Sequence, residues 1–127
     1  LGRRYTASDY LVSVEWLHLY ARKIARWWNK FDILLTPVIA EPPPKLGELR
    51  DAKLGTKRLR EILLFTVQFN ITGQPAISVP MHMNANGLPI GVQLVGAMHA
   101  EALLLQVGGQ LELAESWHRR QPAVRAQ

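Results

Sequence analysis

Two acidic and imidazole pairs stand out because their spacing is that of a metal-ligating motif. Glu15 precedes His18 by three residues, and Glu115 precedes His118 by the same interval. On a helix this spacing places both side chains on one face, and two such pairs with two further glutamates can hold a di-iron centre in a helical bundle. Strand-like sequence separates the two pairs, and no other glutamate has a matching position. We therefore expect no metal site and no other cofactor.

Serine and paired-carboxylate chemistry find little support. The serines are not set in a Gly-x-Ser-x-Gly elbow, and no Gly/Ser-rich loop could direct backbone N–H groups at an oxyanion. Ser78 lies inside a strand-like run and is interpreted as a small residue in a tight sheet position. The three aspartates belong to three different predicted elements, so no carboxylate pair is visible. We predict no catalytic residue within the chain.

The densest run of unusual residues extends from Phe69 to Pro80. It is typical of a helix end, a turn at Gly73 and Pro75, and a strand of small residues. Asn70 and Thr72 are short polar residues that can bond to local backbone. Two interpretations remain open, a tightly specified helix-to-strand corner and one wall of a pocket.

A long amphipathic helix is predicted over residues 6–30. Thr6 and Asp9 have the spacing of a capping box with a short acidic arm. Apolar residues then recur at steps of three and four, which is the period of one helix face. That stripe consists of Tyr10, Val14, Leu17, Ala21, Ile24 and Trp28.

The middle of the chain predicts a strand over 33–37, a proline-containing loop over 38–56 and a helix over 57–70 that is capped by Thr56. A hairpin over 76–96 follows, with Asn86–Gly87 in its turn. The apolar runs Ile33–Leu35 and Ile90–Val95 both have the composition of central strands. Because Ile90–Val95 is almost unbroken, we expect helices on both faces of the sheet.

The last predicted helix covers residues 99–119. Its apolar stripe consists of Leu103, Val107, Leu111, Ala114 and Trp117. Gly108 and Gly109 lie in its middle, and each costs about 1 kcal/mol of helix stability relative to alanine. The two glycines therefore indicate either close packing against another backbone or a weak point in the helix.

Composition excludes several classes of protein. The 15 Lys and Arg exceed the 10 Asp and Glu, but they are scattered and no nucleic-acid-reading motif accompanies them. No apolar run approaches the ~20 residues that cross a bilayer. We thus expect no nucleic-acid partner and no membrane partner. Absence of cysteine excludes disulfides and a thiolate nucleophile, and fits a cytoplasmic location. The first residue is Leu1 rather than methionine, from which we expect either that something was removed from the front or that the chain is a piece of a longer protein.

Three ordered motifs resemble the C-terminal part of the amidase signature family. Phe31–Pro37 resembles its strand ending in Thr-Pro, and Phe69–Pro80 contains its Asn-x-x-Gly-x-Pro-Ala sequence. Gly87–Gly96 matches its Gly-Leu-Pro-x-Gly-x-Gln strand, which two hydrophobic residues and a glycine complete. Three motifs in order are more specific than any one of them. The resemblance implies an α/β fold, part of a mixed β-sheet covered by helices on both faces.

Enzymes of that family hydrolyse amide bonds with a serine nucleophile, a second serine in a cis peptide and a lysine. Those residues lie upstream of the matched motifs, and nothing in this chain matches them. The resemblance therefore implies scaffold and part of the wall of the acyl-side pocket. The candidates for that wall are Pro37, Val38, Asn70, Ile71 and Thr72. Met81-His82-Met83 is bulky where relatives often have small residues. Two interpretations remain open: the bulk alters the shape of the substrate that fits, or it has no effect.

Our first hypothesis is the C-terminal scaffold and pocket portion of an amidase, inactive alone, whose full-length enzyme acts on a small-molecule amide. The alternative is a non-catalytic, stand-alone binding or oligomerisation module derived from the same fold. A basic nucleic-acid binder is the third and least supported hypothesis. Uncovered strand edges and sheet faces tend to pair with another copy. We therefore expect a homo-oligomer, with domain swapping as one route, or contact with the missing N-terminal part.

Overall fold

A computed structural model describes residues 4–120 of the chain. Four helices and three strands follow one another within these residues. They are α1 (Ala7–Trp27), β1 (Ile33–Pro37), α2 (Gly55–Leu63), α3 (Val67–Thr72), β2 (Ala76–Met83), β3 (Pro89–Gly96) and α4 (Glu101–Glu115). Short 3₁₀ turns follow α1 at Trp28–Lys30, precede α2 at Glu48–Arg50 and follow α4 at Trp117–Arg119.

The sheet has β3 at its centre, in the order β1-β3-β2, and both pairings are antiparallel. Leu94 of β3 is opposite Leu35 of β1 and Ile77 of β2. Both apolar runs have the composition of central strands, and an uncovered sheet edge was expected in the chain alone. Within residues 4–120 β3 is central and β1 provides that edge. Leu35 is 65% exposed because β1 forms an edge of the described sheet.

Helices cover both faces of this sheet. Successive residues of a strand point to opposite faces, so Val95 and Leu94 belong to different clusters. Val95 packs with Trp28 and Phe69, which come from the end of α1 and from α3. Leu94 packs with Val79 of β2 and Leu104 of α4. These two clusters confirm the predicted α/β class with helices on both faces.

Helix α1 begins at a complete capping box. The Asp9 amide donates to Thr6 Oγ1 at 3.1 Å, and the Thr6 amide donates to Asp9 Oδ2 at 2.8 Å. The backbone hydrogen bond from Thr6 lowers the pKa of the Asp9 carboxyl, with a smaller contribution from the Thr6 hydroxyl. The pairing satisfies two of the amide groups that a helix N-terminus leaves without intrahelical partners.

Helix α1 carries apolar residues on two sides. The predicted stripe is half-buried from Val14 onward and ends at the buried Trp28, whereas its first member, Tyr10, is 68% exposed. On the other side Val12, Trp16 and Leu19 are exposed, at the spacing of one helix face. Only one of the two apolar faces of α1 therefore packs on the described sheet.

One helix over 57–70 was predicted, and that prediction is wrong because two helices occupy this region. Residues 64–66 form a turn between α2 and α3. In this turn the Phe65 carbonyl accepts a hydrogen bond from Gln93 of β3 at 3.0 Å, a partner that local periodicity cannot reveal. The predicted cap is also wrong, since α2 begins at Gly55, before Thr56, with no side-chain cap.

Helix α4 is shorter than the predicted 99–119. Ser116 adopts a left-handed conformation with φ of 49°, and its amide donates to the Glu112 carbonyl at 2.7 Å. The chain turns there, and Trp117 packs on the cluster around Leu104 from the 3₁₀ turn beyond α4. The buried positions of α4 are Leu104 and Gly108, while the predicted stripe residue Leu103 is exposed.

The two glycines of α4 provide a matched test of this packing. A Cβ at Gly109 would meet nothing within 4 Å, whereas one at Gly108 would lie 3.1 Å from Ile77 Cδ1. We expect Gly109→Ala to raise the free energy of unfolding by about 1 kcal/mol, the helix-propensity difference. Gly108→Ala gains the same propensity but must displace Ile77, so its stabilisation is smaller or absent. Urea denaturation followed by circular dichroism measures both, and equal stabilisation by the two variants would contradict this packing.

Candidate functional site

A row of polar side chains crosses one face of the sheet. Thr36 of β1 and Ser78 of β2 are both opposite Gln93 of the central strand. Gln93 is only 6% exposed, and its Nε2 donates to Thr36 Oγ1 and to the Phe65 carbonyl, each at 3.0 Å. The buried amide is therefore hydrogen-bonded, as a buried polar group must be, and it ties β1 and the α2–α3 turn to β3.

A cavity of about 410 Å³ opens beside this row, and Gly91 is part of its lining. A Cβ at Gly91 would lie 2.9 Å from Ser78 Oγ and 3.0 Å from Val38 Cγ2. The Val38 amide extends the β1–β3 ladder by donating to the Gly91 carbonyl at 3.4 Å. Absence of a side chain at Gly91 thus lets three strand segments meet around an open space.

Three segments of the chain line the cavity. They are the loop after β1, the middle of β2, and the turn that leads into β3. The lining residues are Val38, Ile39, Ala40, Glu41, Pro42, Pro43, Ser78, Asn84, Leu88, Pro89, Ile90 and Gly91. The lining is predominantly apolar with a few polar side chains, which is the usual composition of a small-molecule site.

The polar side chains of the lining differ in whether they already have a hydrogen-bond or ion-pair partner. Asn84 Oδ1 accepts from the amides of Asn86 and Leu88, both at 2.9 Å, and so holds the turn in place. Glu41 forms an ion pair with Arg58. Ser78 faces Gly91 across the short gap described above, which makes its hydroxyl the candidate for a polar contact with a ligand.

Two of the five predicted wall residues lie at the end of β1. Val38 lines the cavity and approaches Gly91. Pro37 is the last residue of β1, opposite Val92, and is exposed beside the cavity rather than in its lining.

The other three predicted wall residues lie in the last turn of α3. Asn70 and Ile71 are exposed, and Thr72 is half-buried. The Thr72 hydroxyl donates to the Gln68 carbonyl at 2.8 Å and contacts Gln74 Oε1. These three residues are not brought to the cavity around Gly91, so their role in a pocket wall stays a prediction.

The most informative residues of the site, Gly91 and Gln93, were inside a recognised motif but were not selected as site residues. The available signal was a polar side chain in an almost wholly apolar strand. Glu41 and the adjacent prolines gave no such signal, because they lie in a loop whose position depends on the fold. Ser78 was interpreted as a small filler, and it borders the cavity.

The bulky Met81-His82-Met83 run does not reach the cavity. A bulge displaces the register between Val79 and His82. Met81 packs in the cluster on the α4 side of the sheet, while His82 and Met83 are exposed. Met81 therefore packs on the face of β2 opposite to Ser78.

Neither Glu-x-x-His pair forms part of a metal cluster in the described structure. Among residues 4–120 there is no group of three or more acidic or histidine side chains that could hold an ion. His118 Nδ1 lies 3.7 Å from Glu112, and Glu115 lies 3.7 Å from Arg120, so the second pair is separated by the turn at Ser116. Within the same residues, none of the helices has the length and apolarity to span a bilayer.

Comparison with known proteins shows which family and which relatives this chain is similar to. A family model described as Amidase matches residues 1–105. The chain is 44% identical over 130 aligned residues to 6-aminohexanoate-cyclic-dimer hydrolase of Pseudomonas sp. (strain NK87), an alignment that covers 94% of this chain and 26% of the relative. The corresponding protein of Paenarthrobacter ureafaciens is 42% identical, with the same two coverages. The chain thus spans about a quarter of the length of these relatives.

Solved structures agree with this result. The structure of 6-aminohexanoate cyclic dimer hydrolase superimposes with a TM-score of 0.85 and 40% identity, covering 95% of this chain and 27% of that one. A crystal structure of an amidase gives a TM-score of 0.73 and 30% identity, covering 90% and 26% respectively.

The bridging amide can be tested against a smaller change at its partner. We expect Gln93→Leu to lower the free energy of unfolding by about 2 kcal/mol, because two hydrogen bonds are lost and the Phe65 carbonyl loses its donor. Thr36→Val removes only one of these bonds and should cost about 1 kcal/mol. Chemical denaturation of both variants provides the comparison. A Gln93→Leu variant no less stable than Thr36→Val would show that the link to Phe65 contributes nothing.

Proposed function

The chain belongs to the amidase family, and from that premise we propose that it forms the C-terminal scaffold and part of the substrate pocket of an amide hydrolase. The serine, serine and lysine that perform catalysis in such enzymes are proposed to come from residues outside these 127, since nothing in the chain matches them. The chain alone is therefore inactive in this proposal. Its contribution is to position one wall of the pocket against the catalytic residues.

The cavity around Gly91 is the observation that carries this proposal. Ser78, Ile90 and Gly91 of its lining come from strands that the sheet holds rigidly, which suits a site that must orient a ligand. The Ser78 hydroxyl and the predominantly apolar lining favour a small amide with an apolar chain over a strongly charged substrate. The two relatives described above are named as hydrolases of 6-aminohexanoate cyclic dimer, which supports a small-molecule amide here.

The exposed side of α1 supports a further part of the proposal. Val12, Trp16 and Leu19 are exposed together, and Trp16 stacks on Tyr20 with ring centroids 5.5 Å apart. A helix that is apolar on two sides is usually covered on both. We propose that the rest of an amidase domain covers this side in the full-length enzyme and that a second copy covers it when the chain is alone. A separate proposal is that the enzyme is cytoplasmic.

Self-association of the isolated chain should depend on that side of α1. We expect dimers or larger oligomers at micromolar concentration, because burial of exposed apolar area favours association. Trp16→Glu should shift the population towards monomer. Leu46→Glu, which alters a fully exposed apolar residue in the loop before α2, is the matched control and should change nothing. Sedimentation equilibrium distinguishes these states, and a monodisperse wild-type monomer would contradict the expectation.

Catalytic competence can be tested in a chimera. The chain replaces the matching C-terminal quarter of the Pseudomonas hydrolase, whose remaining three quarters supply the rest of the enzyme. We expect this chimera to hydrolyse simple aliphatic amides, while the isolated chain shows no turnover. Gly91→Ala should raise KM about tenfold, equivalent to about 1.4 kcal/mol, because the added methyl group would press on Ser78 and Val38 and so displace the cavity lining.

Gly109→Ala is the control for that substitution, since it adds the same methyl group in open space on α4. It should leave KM and kcat unchanged. An inactive but folded chimera, or equal KM values for the two alanine variants, would count against the pocket. Turnover by the isolated chain that Ser78→Ala abolishes would overturn the scaffold role altogether.

A further inference from the structure

One side chain of α2 makes contacts that extend well beyond its own helix. Arg58 is only 14% exposed, and its guanidinium forms an ion pair with Glu41. Its Nη2 donates to the Pro42 carbonyl at 3.0 Å, and its Nε lies 3.1 Å from Glu48 Oε1. Glu61, one turn further along α2, lies 3.4 Å from Nη1. A guanidinium presents several donors in a rigid fork, so it can hold several acceptors in one geometry.

Two of these partners, Glu41 and Pro42, belong to the wall of the cavity around Gly91. Glu41, Pro42 and Pro43 line that cavity, and they lie in a loop outside the β1–β3 ladder. The 3₁₀ turn that carries Glu48 packs closely on the start of α2, because a Cβ at Gly55 would be 2.3 Å from the Leu49 carbonyl oxygen. Arg58 is thus a direct polar link between a helix and the loop that forms one side of the cavity.

The same contact decides the charge at the mouth of the cavity. The hydrogen bond that Arg58 donates to Glu41 is the largest of the influences that raise the pKa of Arg58 above its ordinary value, so the guanidinium stays protonated. Of the three glutamates around it, Glu41 is the one that lines the cavity. Lys57, the other nearby cation, lies 3.7 Å from Glu61. Loss of Arg58 would therefore leave the carboxylate of Glu41 without its counter-ion at the cavity mouth.

We propose that Arg58 is a positioning residue that holds Glu41–Pro43 as a wall of the cavity and, by pairing with Glu41, weakens the attraction of this carboxylate for cationic amides. This inference rests on the proposed function, since it assumes that the cavity binds an amide. It assigns specificity to a residue that does not itself line the cavity. Removing the guanidinium should have two separable effects, a looser wall and a preference for cationic ligands.

Three amides of similar length and different charge provide the probes. Hexanamide is neutral, 6-aminohexanamide is cationic and adipic acid monoamide is anionic at pH 7. Binding to the full chain is measured by NMR titration of the backbone amides that line the cavity, so the readout does not depend on turnover. Hydrogen exchange of residues 39–48 in the same samples reports how firmly the wall is held. Failure of the proposed function is read separately, from the activity of the chimera.

We expect the wild-type chain to bind hexanamide at least as tightly as either charged probe. In Arg58→Gln the affinity for the cationic probe relative to that for the neutral probe should rise about threefold to tenfold. The unpaired carboxylate of Glu41 then attracts the ammonium group, in an interaction that water and salt partly screen. Arg58→Gln/Glu41→Gln should return the ratio to its wild-type value, which a purely structural effect would not do. Exchange of residues 39–48 should be faster in both variants.

Two milder variants separate charge from position. Arg58→Lys keeps the positive charge but loses the fork, so we expect an unchanged charge preference with faster exchange of the wall. Glu41→Gln removes the carboxylate and should not create a preference for the cationic probe. An unaltered preference in Arg58→Gln, or a preference that persists in the double variant, would overturn the inference. Absence of binding by all three probes in every variant would overturn it as well.

Discussion

Burial of the central strand on both of its faces is the constraint from which the rest of the structure follows. Leu94 and Val95 are adjacent in β3, point to opposite faces and are both almost completely buried. A strand in this situation requires a layer of helices on each side. The end of α1 together with α3 forms one layer around Val95, and α4 forms the other around Leu94. A shift of one residue in the register of β3 would exchange the two sets of contacts.

The candidate site uses the same alternation. Gly91, Gln93 and Val95 share one face of β3. Gly91 borders the cavity, Gln93 carries a buried and hydrogen-bonded amide, and Val95 lies in the closed core. The site therefore lies where the helical layer on that face ends. The buried amide of Gln93 marks this boundary, because it is shielded like a core residue while it satisfies polar groups of two neighbouring segments.

The cavity wall is held by a different kind of interaction from the fold itself. Apolar contacts fix the sheet and its helices, whereas the loop containing Glu41 and Pro42 is attached through the guanidinium of Arg58. Ion pairs at partly exposed positions contribute little to stability, but they are directional. Substitutions here can therefore alter the shape and charge of the cavity while the folded core remains.

The sequence by itself determined the features that depend on neighbouring residues and on strand period. The capping box of α1, the hairpin and the fully covered strand could be recognised because propensity and periodicity act over a few residues. The three motifs were recognised by their resemblance to a known family. Contacts between distant segments could not be recognised in this way. The interruption after α2 accompanies a hydrogen bond from Gln93, and α4 ends where Trp117 turns back to the core. Likewise, Val38, Ser78 and Gly91 converge while Asn70, Ile71 and Thr72 lie elsewhere, since strand order decides which loops become neighbours.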